Sequence, residues 1–196
     1  MKKINFRSAI KLIEAILAKI GIKNVKTALF VRVLADDLQT AVAKVPVKVE
    51  LGAEETILKI FKDRKEALKR LSCKELCFIP EIDNKPVGYF WVTTQKNVYI
   101  PEIEKTIAFD DNCAYQYDGY IDPELRSINV GKVAMKEMII YLKSKNFSKF
   151  YSMTRNIAAE KVLRYFGFYP VKRFSFFRIF FFRKYKVEEI NANQVI

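Results

Sequence analysis

The stretch from Tyr115 to Gly131, YQYDGYIDPELRSINVG, holds the residues with the clearest chemical potential in the chain. An alternating aromatic pattern typical of a strand leads into it and an amphipathic helix follows, so the joint lies at a helix start. The first N–H groups of a helix have no internal partner, and the helix dipole adds about half a positive charge there. With the guanidinium of Arg126, such a joint suits a phosphate. Ser127 can cap the helix or donate to a phosphate oxygen, and Gly131 leaves the backbone accessible.

A second stretch, NIAAEKVLRYFGFYPV from Asn156 to Val171, makes this interpretation more specific. The two stretches together carry Ile121, Pro123, Arg126 and Gly131, then Asn156, Ala159, Gly167 and Phe168. In this order and spacing they resemble the GNAT superfamily of acyl-CoA N-acyltransferases. In that family a hydrophobic-x-Pro-x-x-Arg-x-x-Gly-x-Gly loop precedes a long helix, and a later helix runs from Asn-x-x-Ala to Gly-Phe. The resemblance covers residues 77–175 well and the amino-terminal part only by order of elements.

The resemblance implies an α/β (α+β) fold, with a mixed central β-sheet flanked by helices. It also implies direct transfer of an acetyl or longer acyl group from acetyl-CoA or another acyl-CoA to an amine. The pyrophosphate is expected on the loop and the pantetheine arm beside the preceding strand, whose N–H groups polarise the thioester carbonyl. The implied cofactor-binding residues are Tyr120, Ile121, Arg126, Ser127, Ile128, Asn129, Val130, Gly131, Lys132, Asn156 and Ala159. For Asn156, capping its own helix and contacting the pantetheine arm are both open.

The sequence departs from the family pattern at two positions. Asn129 replaces the first loop glycine, although Asn tolerates left-handed backbone better than most residues. Leu163 replaces a frequent general-acid tyrosine, so the thiolate is expected to leave as such or to be protonated by water. Tyr165 lies about 200° further round the helix and is expected to point elsewhere. A binding module of the same fold without transfer activity is therefore the alternative function, and transfer of longer acyl chains is a third.

A general base must take the proton of the amine, and the chain contains no His. The candidates on or near the strand are Tyr117, Asp118 and Glu124, and we name Tyr117 and Asp118 as the catalytic residues. Alternation along a strand puts Tyr117 and Asp118 on opposite faces of the sheet, and the sequence does not decide which face is the functional one. A solvated or ion-paired carboxylate is an equally good interpretation of Asp118.

The composition fits a single globular domain of 196 residues, with a net charge of +13. One acyl-CoA does not require so much positive charge, so a second anionic partner is plausible, with a membrane favoured over nucleic acid. We interpret Cys73, Cys77 and Cys113 as small core residues of a reducing cytoplasm and expect no metal. The acceptor amine and the oligomeric state are not indicated.

We divide the chain into a basic amphipathic segment (1–26), a GNAT-like domain (27–186) and a tail (187–196). The predicted helix Ser8–Ile20 either packs on the domain or lies on anionic lipid. The segment FSFFRIFFFRKYK reads as a strand with a membrane-facing side, as a fully buried strand or, least favoured, as a nucleic-acid surface. The predicted localisation is cytoplasmic, with peripheral association at the inner face of the membrane as an option.

The remaining elements follow from hydrophobic periodicity. Helices are predicted over Ala53–Leu71, from the loop to about Lys145, and over Asn156–Phe166. Strands are predicted over Ala28–Leu34, Val45–Leu51, Leu76–Ile82, Val87–Thr94, Cys113–Ile121, Phe150–Met153, Tyr169–Arg173 and Phe176–Arg183. Residues 95–101 read as an irregular connection, and Lys105–Phe109 as a short strand or part of that connection.

Overall fold

The computed structural model describes residue 17 and residues 21–35 and 37–190. Its helices are α1 (Glu54–Ile60), α2 (Arg64–Ser72), α3 (Val130–Ser144) and α4 (Ile157–Tyr165), with a 3-10 helix at Pro123–Ile128. Its strands are β1 (Ile22–Val33), β2 (Lys48–Leu51), β3 (Leu76–Ile82), β4 (Lys85–Pro86), β5 (Gly88–Thr93), β6 (Asn97–Ile100), β7 (Lys105–Ala108), β8 (Cys113–Ile121), β9 (Lys149–Thr154), β10 (Tyr169–Ile179) and β11 (Phe182–Glu189). The predicted helix Ser8–Ile20 lies, apart from residue 17, outside the described residues.

Nine of the described strands form one mixed sheet in the order β11-β10-β1-β9-β8-β5-β3-β2, with β4 on β3. β8 and β9 run parallel, joined through α3, as the strand-helix-strand order predicts. The other pairs in this sheet are antiparallel. The mixed sheet with flanking helices confirms the predicted fold class.

β1 occupies an unexpected place, between β10 and β9 in the carboxy-terminal half of the sheet. It pairs with β10 from Ile22 to Val31 and with β9 from Ala28 to Val33. Its centre is apolar and includes β-branched residues, and it is buried because its alternating side chains pack into the core clusters on both faces of the sheet. The strand also begins six residues before the predicted Ala28, inside the segment assigned to 1–26. The division of the chain into 1–26, 27–186 and 187–196 stays a prediction.

The predicted single helix Ala53–Leu71 is wrong, because the chain breaks between α1 and α2. Phe61 has an extended backbone (ψ 117°), and its ring packs edge-on against Tyr89 and Trp91. Asp63 then starts a second helix by accepting a hydrogen bond from the Glu66 N–H. The bend lets both helices bury an apolar residue on the same part of the sheet, Ile57 from α1 and Ala67 from α2.

Three further assignments need correction. The two closing strands predicted at Tyr169–Arg173 and Phe176–Arg183 are instead the continuous β10 and, after a turn at Phe180, β11. The connection 95–101 contains β6, which pairs with β7 in a separate two-stranded sheet. Cys77 and Cys113 are buried, whereas Cys73 is exposed because it lies in the turn after α2.

The core lies on both faces of the sheet. One face packs against α3 and α4 through residues such as Met138, Leu142, Phe150 and Phe166. The other face carries two clusters, one under α1 and α2 around Trp91 and one under the β6–β7 hairpin. Tyr117 packs against both of these clusters and so lies at the boundary between them.

Within the described part of the chain, we find no helix with the length and apolar character needed to cross a membrane.

Candidate acyl-transfer site

The site begins where β8 and β9 separate. Their pairing covers only Cys113–Gln116 on β8 and Lys149–Ser152 on β9, although β8 continues to Ile121. On its opposite edge β8 stays paired with β5 as far as Ile121. From Tyr117 onward, no described strand pairs with the edge of β8 that faced β9. A length of backbone N–H and C=O groups is therefore open to a ligand.

A β-bulge lies at this point. Asp118 is opposite Trp91 and Gln116 is opposite Val92, so Tyr117 has no residue facing it on β5. The bulge overturns the expectation that Tyr117 and Asp118 point to opposite faces. Both side chains contact Arg70 of α2: Asp118 Oδ2 accepts a 2.8 Å hydrogen bond from Nη1, and the Tyr117 ring centre lies 4.9 Å from Cζ. The structure therefore brings the two predicted catalytic residues to one face.

Arg70 holds Asp118 in an ion pair. The guanidinium of Arg70 is largely shielded from water. Its side chain is only 14% exposed, and its Cζ lies 5.0 Å from the ring centre of Phe61 and 5.2 Å from that of Trp91. Its Nε donates to Glu66 at 3.1 Å. Asp118 is therefore an ion-paired carboxylate in this structure, and its catalytic role stays a prediction.

Tyr117 has a different partner, which the sequence did not reveal. Its hydroxyl donates a hydrogen bond to the carboxylate of Glu75, in the turn between α2 and β3. Burial raises the pKa of Glu75 above its ordinary value, and burial with the bond to Glu75 raises the pKa of Tyr117 well above its usual range. No motif marks Glu75, because the two residues are 42 positions apart and meet only when the sheet forms.

The predicted anion loop follows β8. After the 3-10 helix, Asn129 takes a left-handed conformation (φ 70°, ψ 17°), and α3 begins at Val130. Asn129 makes no side-chain cap bond to α3, and the first turn of that helix contains no acidic residue. Ser127 lies in the 3-10 helix and does not cap α3, contrary to one of its two predicted roles. No side chain of Asn129 or Ser127 therefore occupies the helix start, where the first N–H groups of a helix can receive an anion, although the Lys132 N–H already donates to the Asn129 carbonyl oxygen.

The side chains of the loop frame this helix start. Arg126 is exposed, and its Nε donates to the carbonyl oxygen of Ile121 at 3.0 Å, which fixes the guanidinium beside the end of β8. A Cβ at Gly131 would lie only 3.0 Å from Cδ1 of Ile121, so a side chain there would fill the space between loop and strand. Lys132 lies 4.3 Å over the ring of Tyr165. The remaining predicted loop residues, Ile128 and Val130, are half-buried and buried.

On α4, the Oδ1 of Asn156 accepts a 2.9 Å hydrogen bond from the Ala158 N–H and so caps the helix. This confirms one of the two duties considered for Asn156. Leu163 is 2% exposed and packs in the core cluster that also contains the apolar face of α3, so the leucine offers no group that could donate a proton. Tyr165 does point elsewhere, because its hydroxyl donates to the Thr40 carbonyl oxygen.

The described residues contain no group of three or more His, Cys, Asp or Glu side chains arranged to hold a metal ion.

The mixed sheet, whose parallel strands separate at a bulge beside an uncapped helix start, matches the architecture that the family resemblance implies. The family described as "Acetyltransferase (GNAT) family" matches residues 49–168. The chain therefore belongs to the GNAT acetyltransferase family. The match begins with β2 and ends before β10, so β1 and the β10–β11 hairpin lie outside it.

Solved structures share the fold. A GCN5-related N-acetyltransferase from Sphaerobacter thermophilus aligns with a TM-score of 0.56 at 11% identity, over 95% of this chain and 58% of that one. A GCN5-related glucosamine N-acetyltransferase region in a fungal multi-domain GH3 β-N-acetylglucosaminidase has a TM-score of 0.56 at 10% identity, over 90% of this chain and 23% of that one.

A tandem GNAT protein from the clavulanic acid biosynthesis pathway has a TM-score of 0.52 at 13% identity, over 84% of this chain and 57% of that one. This chain thus spans less than two thirds of the length of all three proteins. At these identities the likeness concerns the fold. No curated protein sequence matches the chain.

Proposed function

We propose that this protein transfers an acyl group from acyl-CoA directly to a primary amine. The observation that carries the proposal is the open edge of β8 from Tyr117 to Ile121, which leads straight to the uncapped start of α3. An extended arm can hydrogen-bond along such an edge, and a pyrophosphate suits the helix start.

In this proposal Tyr120 and Ile121 lie along the pantetheine arm. The pyrophosphate binds to the backbone of the loop from Arg126 to Lys132, which includes Ser127, Ile128, Asn129, Val130 and Gly131. Arg126 supplies additional donors, and Asn156 and Ala159 border the arm from the start of α4. The missing side chain at Gly131 supports this assignment, because a Cβ would occupy the space beside Ile121.

The chemistry then depends mainly on positioning. Backbone N–H groups of β8 stabilise the charge that develops on the thioester oxygen, and the amine attacks from the side of Tyr117 and Asp118. Asp118, paired with Arg70, serves to orient this face. With Leu163 in the core, the CoA thiolate leaves unprotonated or takes its proton from water.

The first test is calorimetric titration with acetyl-CoA, and with palmitoyl-CoA below its micellar concentration. Arg126→Ala should weaken binding at least tenfold, because charge-assisted bonds to phosphate are lost, about 1.5–3 kcal/mol each. Arg173→Ala is the matched control, since Arg173 is an exposed arginine on β10, remote from the loop. Equal binding by the two variants, or no binding by the unmodified protein, would refute the assigned loop. Tighter binding of palmitoyl-CoA would indicate a long-chain donor.

The alternative is a binding module of the same fold that does not transfer. Asn129 and Leu163 motivate it, because both replace residues that the family pattern prefers. It predicts acyl-CoA or lipid binding without release of CoA thiol for any amine in a broad panel. A thiol-release assay on the protein that binds in the calorimeter separates the two functions.

We also propose that the protein acts at an anionic membrane surface. The turn between β10 and β11 exposes Phe180, Phe181 and Phe182, at 67%, 97% and 56%. Exposed aromatic residues next to cations such as Arg183 and Lys184 suit the interface of an anionic bilayer. The Phe180 N–H donates to the Gly21 carbonyl oxygen, so this turn lies beside the start of β1.

Co-sedimentation with vesicles tests this surface. Phe181→Ser should reduce binding to vesicles with 30% phosphatidylglycerol by roughly tenfold, because a buried aromatic ring contributes about 1.5–3 kcal/mol. Val42→Ser is the control, as Val42 is an exposed apolar residue in the connection between β1 and β2. The proposal would be contradicted if Phe181→Ser bound vesicles as well as the unmodified protein does. It would also be contradicted if the protein bound pure phosphatidylcholine vesicles as well as anionic ones.

A further inference from the structure

Three carboxylates and one cation surround Tyr117, and we call Glu66, Arg70, Glu75, Tyr117 and Asp118 the Tyr117 cluster. Arg70 engages two of the carboxylates, Glu66 at 3.1 Å and Asp118 at 2.8 Å. Glu75 is different, because its hydrogen-bond partners are the hydroxyls of Tyr117 and Thr93, and no described Lys or Arg forms an ion pair with it, although the nearby charge of Arg70 acts to lower its pKa. Glu75 is thus the carboxylate of the cluster that is not directly paired with a cation.

We propose that Glu75 and Tyr117 form a proton relay, in which Tyr117 contacts the acceptor amine and Glu75 takes the proton. This inference rests on the proposed transfer function and deepens it. Tyr117 is the catalytic residue of the relay, and Glu75 acts through it as a positioning residue and final proton acceptor.

The position of Tyr117 supports this role. It is the bulged residue at which β8 leaves β9, so it is adjacent to the backbone on which we place the thioester. Its side chain is turned away from α3 and α4, toward the boundary between the α1–α2 cluster and the β6–β7 cluster. An amine that enters along this boundary meets the hydroxyl of Tyr117 and the thioester from the same side.

The electrostatics agree with the geometry. Burial raises the pKa of Glu75, which brings a carboxylate closer to the pH at which it can act as a base. The pKa of Tyr117 is also raised, so its hydroxyl remains protonated and continues to donate to Glu75. The charged groups facing the pair are Arg70 and Glu66 from α2 and Asp118 from β8, while the Cys77 thiol of β3 stays neutral because burial raises its pKa to about 12.

The proposed transfer step conserves bonds and protons. The neutral amine nitrogen forms a bond to the acyl carbon and the C–S bond breaks, so CoA leaves as the thiolate. The excess proton on nitrogen passes to Tyr117 Oη as the hydroxyl proton passes to Glu75. Tyr117 ends neutral and Glu75 ends as the carboxylic acid, which returns its proton to water or to the thiolate.

The experiment measures acetyl-CoA affinity by calorimetry and CoA release from acetyl-CoA with three probe amines: ethanolamine, spermidine and lysine methyl ester. The protein is compared with Glu75→Gln, Glu75→Asp and Tyr117→Phe across the pH range of about 5 to 9. Glu81→Gln, at the far end of β3, is the matched control for loss of one glutamate.

We expect Glu75→Gln to lower kcat about 100-fold or more, in line with the usual contribution of general base catalysis, while the Kd for acetyl-CoA stays within about twofold. It should also remove the rise of kcat with pH that titration of Glu75 produces, Glu75→Asp should recover part of the rate, and Tyr117→Phe should resemble Glu75→Gln. A merely structural role for Glu75 would not change the shape of the pH profile.

Several outcomes would overturn the inference. If Glu75→Gln retains the kcat and pH profile of an active unmodified protein, the relay is wrong and the transfer function stands. If the unmodified protein binds no acetyl-CoA, the proposed function fails and the relay fails with it. Binding without CoA release for any probe amine identifies the binding module and likewise excludes the relay.

Discussion

Asn129 allows the strain in the anion loop to be measured. Its backbone is in the left-handed region, at φ 70° and ψ 17°. The left-handed conformation costs an ordinary L-residue roughly 1–2 kcal/mol of conformational free energy. The cost is lower for Asn, because its short polar side chain can form local hydrogen bonds. The one side-chain bond that we find, from Nδ2 to the Val42 carbonyl oxygen, is 3.4 Å long and contributes little.

Asn129→Ala should therefore lower the free energy of unfolding by about 1 kcal/mol. Ala keeps the left-handed backbone strain but lacks the polar side chain with which Asn offsets part of it. For a domain of this size that corresponds to a fall in Tm of roughly 2–4 °C. Asn129→Gly should stay close to the unmodified protein, since relief of strain offsets the roughly 0.5–1 kcal/mol cost of a more flexible unfolded chain.

The assay combines urea unfolding with acetyl-CoA calorimetry. Asn84→Ala is the matched control, because Asn84 also has a positive φ, 57°, but lies in the turn between β3 and β4. Both alanine variants should lose stability, and Asn129→Ala alone should lose acetyl-CoA affinity. Unchanged stability in Asn129→Ala would refute the strain argument, and equal affinity in the two variants would refute the assignment of the loop to the cofactor.

Three further substitutions test other parts of the structure. Asp63→Ala should cost about 1 kcal/mol in urea unfolding, because it removes the cap bond to the Glu66 N–H; an unchanged midpoint would contradict the cap. Leu163→Tyr should destabilise by about 1–3 kcal/mol through overpacking and should not raise the rate of CoA release; a faster rate would show that the position reaches the site. Burial raises the pKa of Glu75 above 4.5, so its contribution to stability is present at low pH and is lost as the pH rises through the raised pKa. Glu75→Gln should therefore gain in Tm relative to the unmodified protein from about pH 4 to pH 7, and a pH-independent difference would be inconsistent with this.

The elements that the sequence predicts well are those with a strong local signal. β8 covers the predicted Cys113–Ile121, because aromatic residues alternate along it and turn residues bound it. α3 ends at Ser144, close to the predicted Lys145, and the positive φ of Asn146 just after it is typical of a helix end. The loop between β8 and α3 also lies where the sequence places it, because its turn and helix signals come from neighbouring residues, and its binding of an anion stays a prediction.

The features that the sequence did not reveal depend on distant contacts. β1 pairs with β9 and β10, which lie more than 100 residues further along the chain, and no local sequence pattern indicates which strands will be its neighbours. The bulge at Tyr117 depends on the register with β5, and the break at Phe61 depends on the rings of Tyr89 and Trp91. Glu75 looks like an ordinary polar residue in a turn until the sheet brings Tyr117 to it.

The two sides of β8 differ in charge in a way that suits the proposed reaction. Toward α3, the strand leads to a helix start with Arg126 and Lys132 and without acidic residues in its first turn, which favours the anionic end of acyl-CoA. Toward α2, the same strand meets three carboxylates around one arginine, which favours an ammonium-bearing acceptor even though the chain carries a net charge of +13. Donor and acceptor of opposite charge can then approach one strand from different directions and meet at the bulge. If the proposed transfer function holds, we expect the acid groups near Tyr117 to favour a cationic amine over an acidic acceptor.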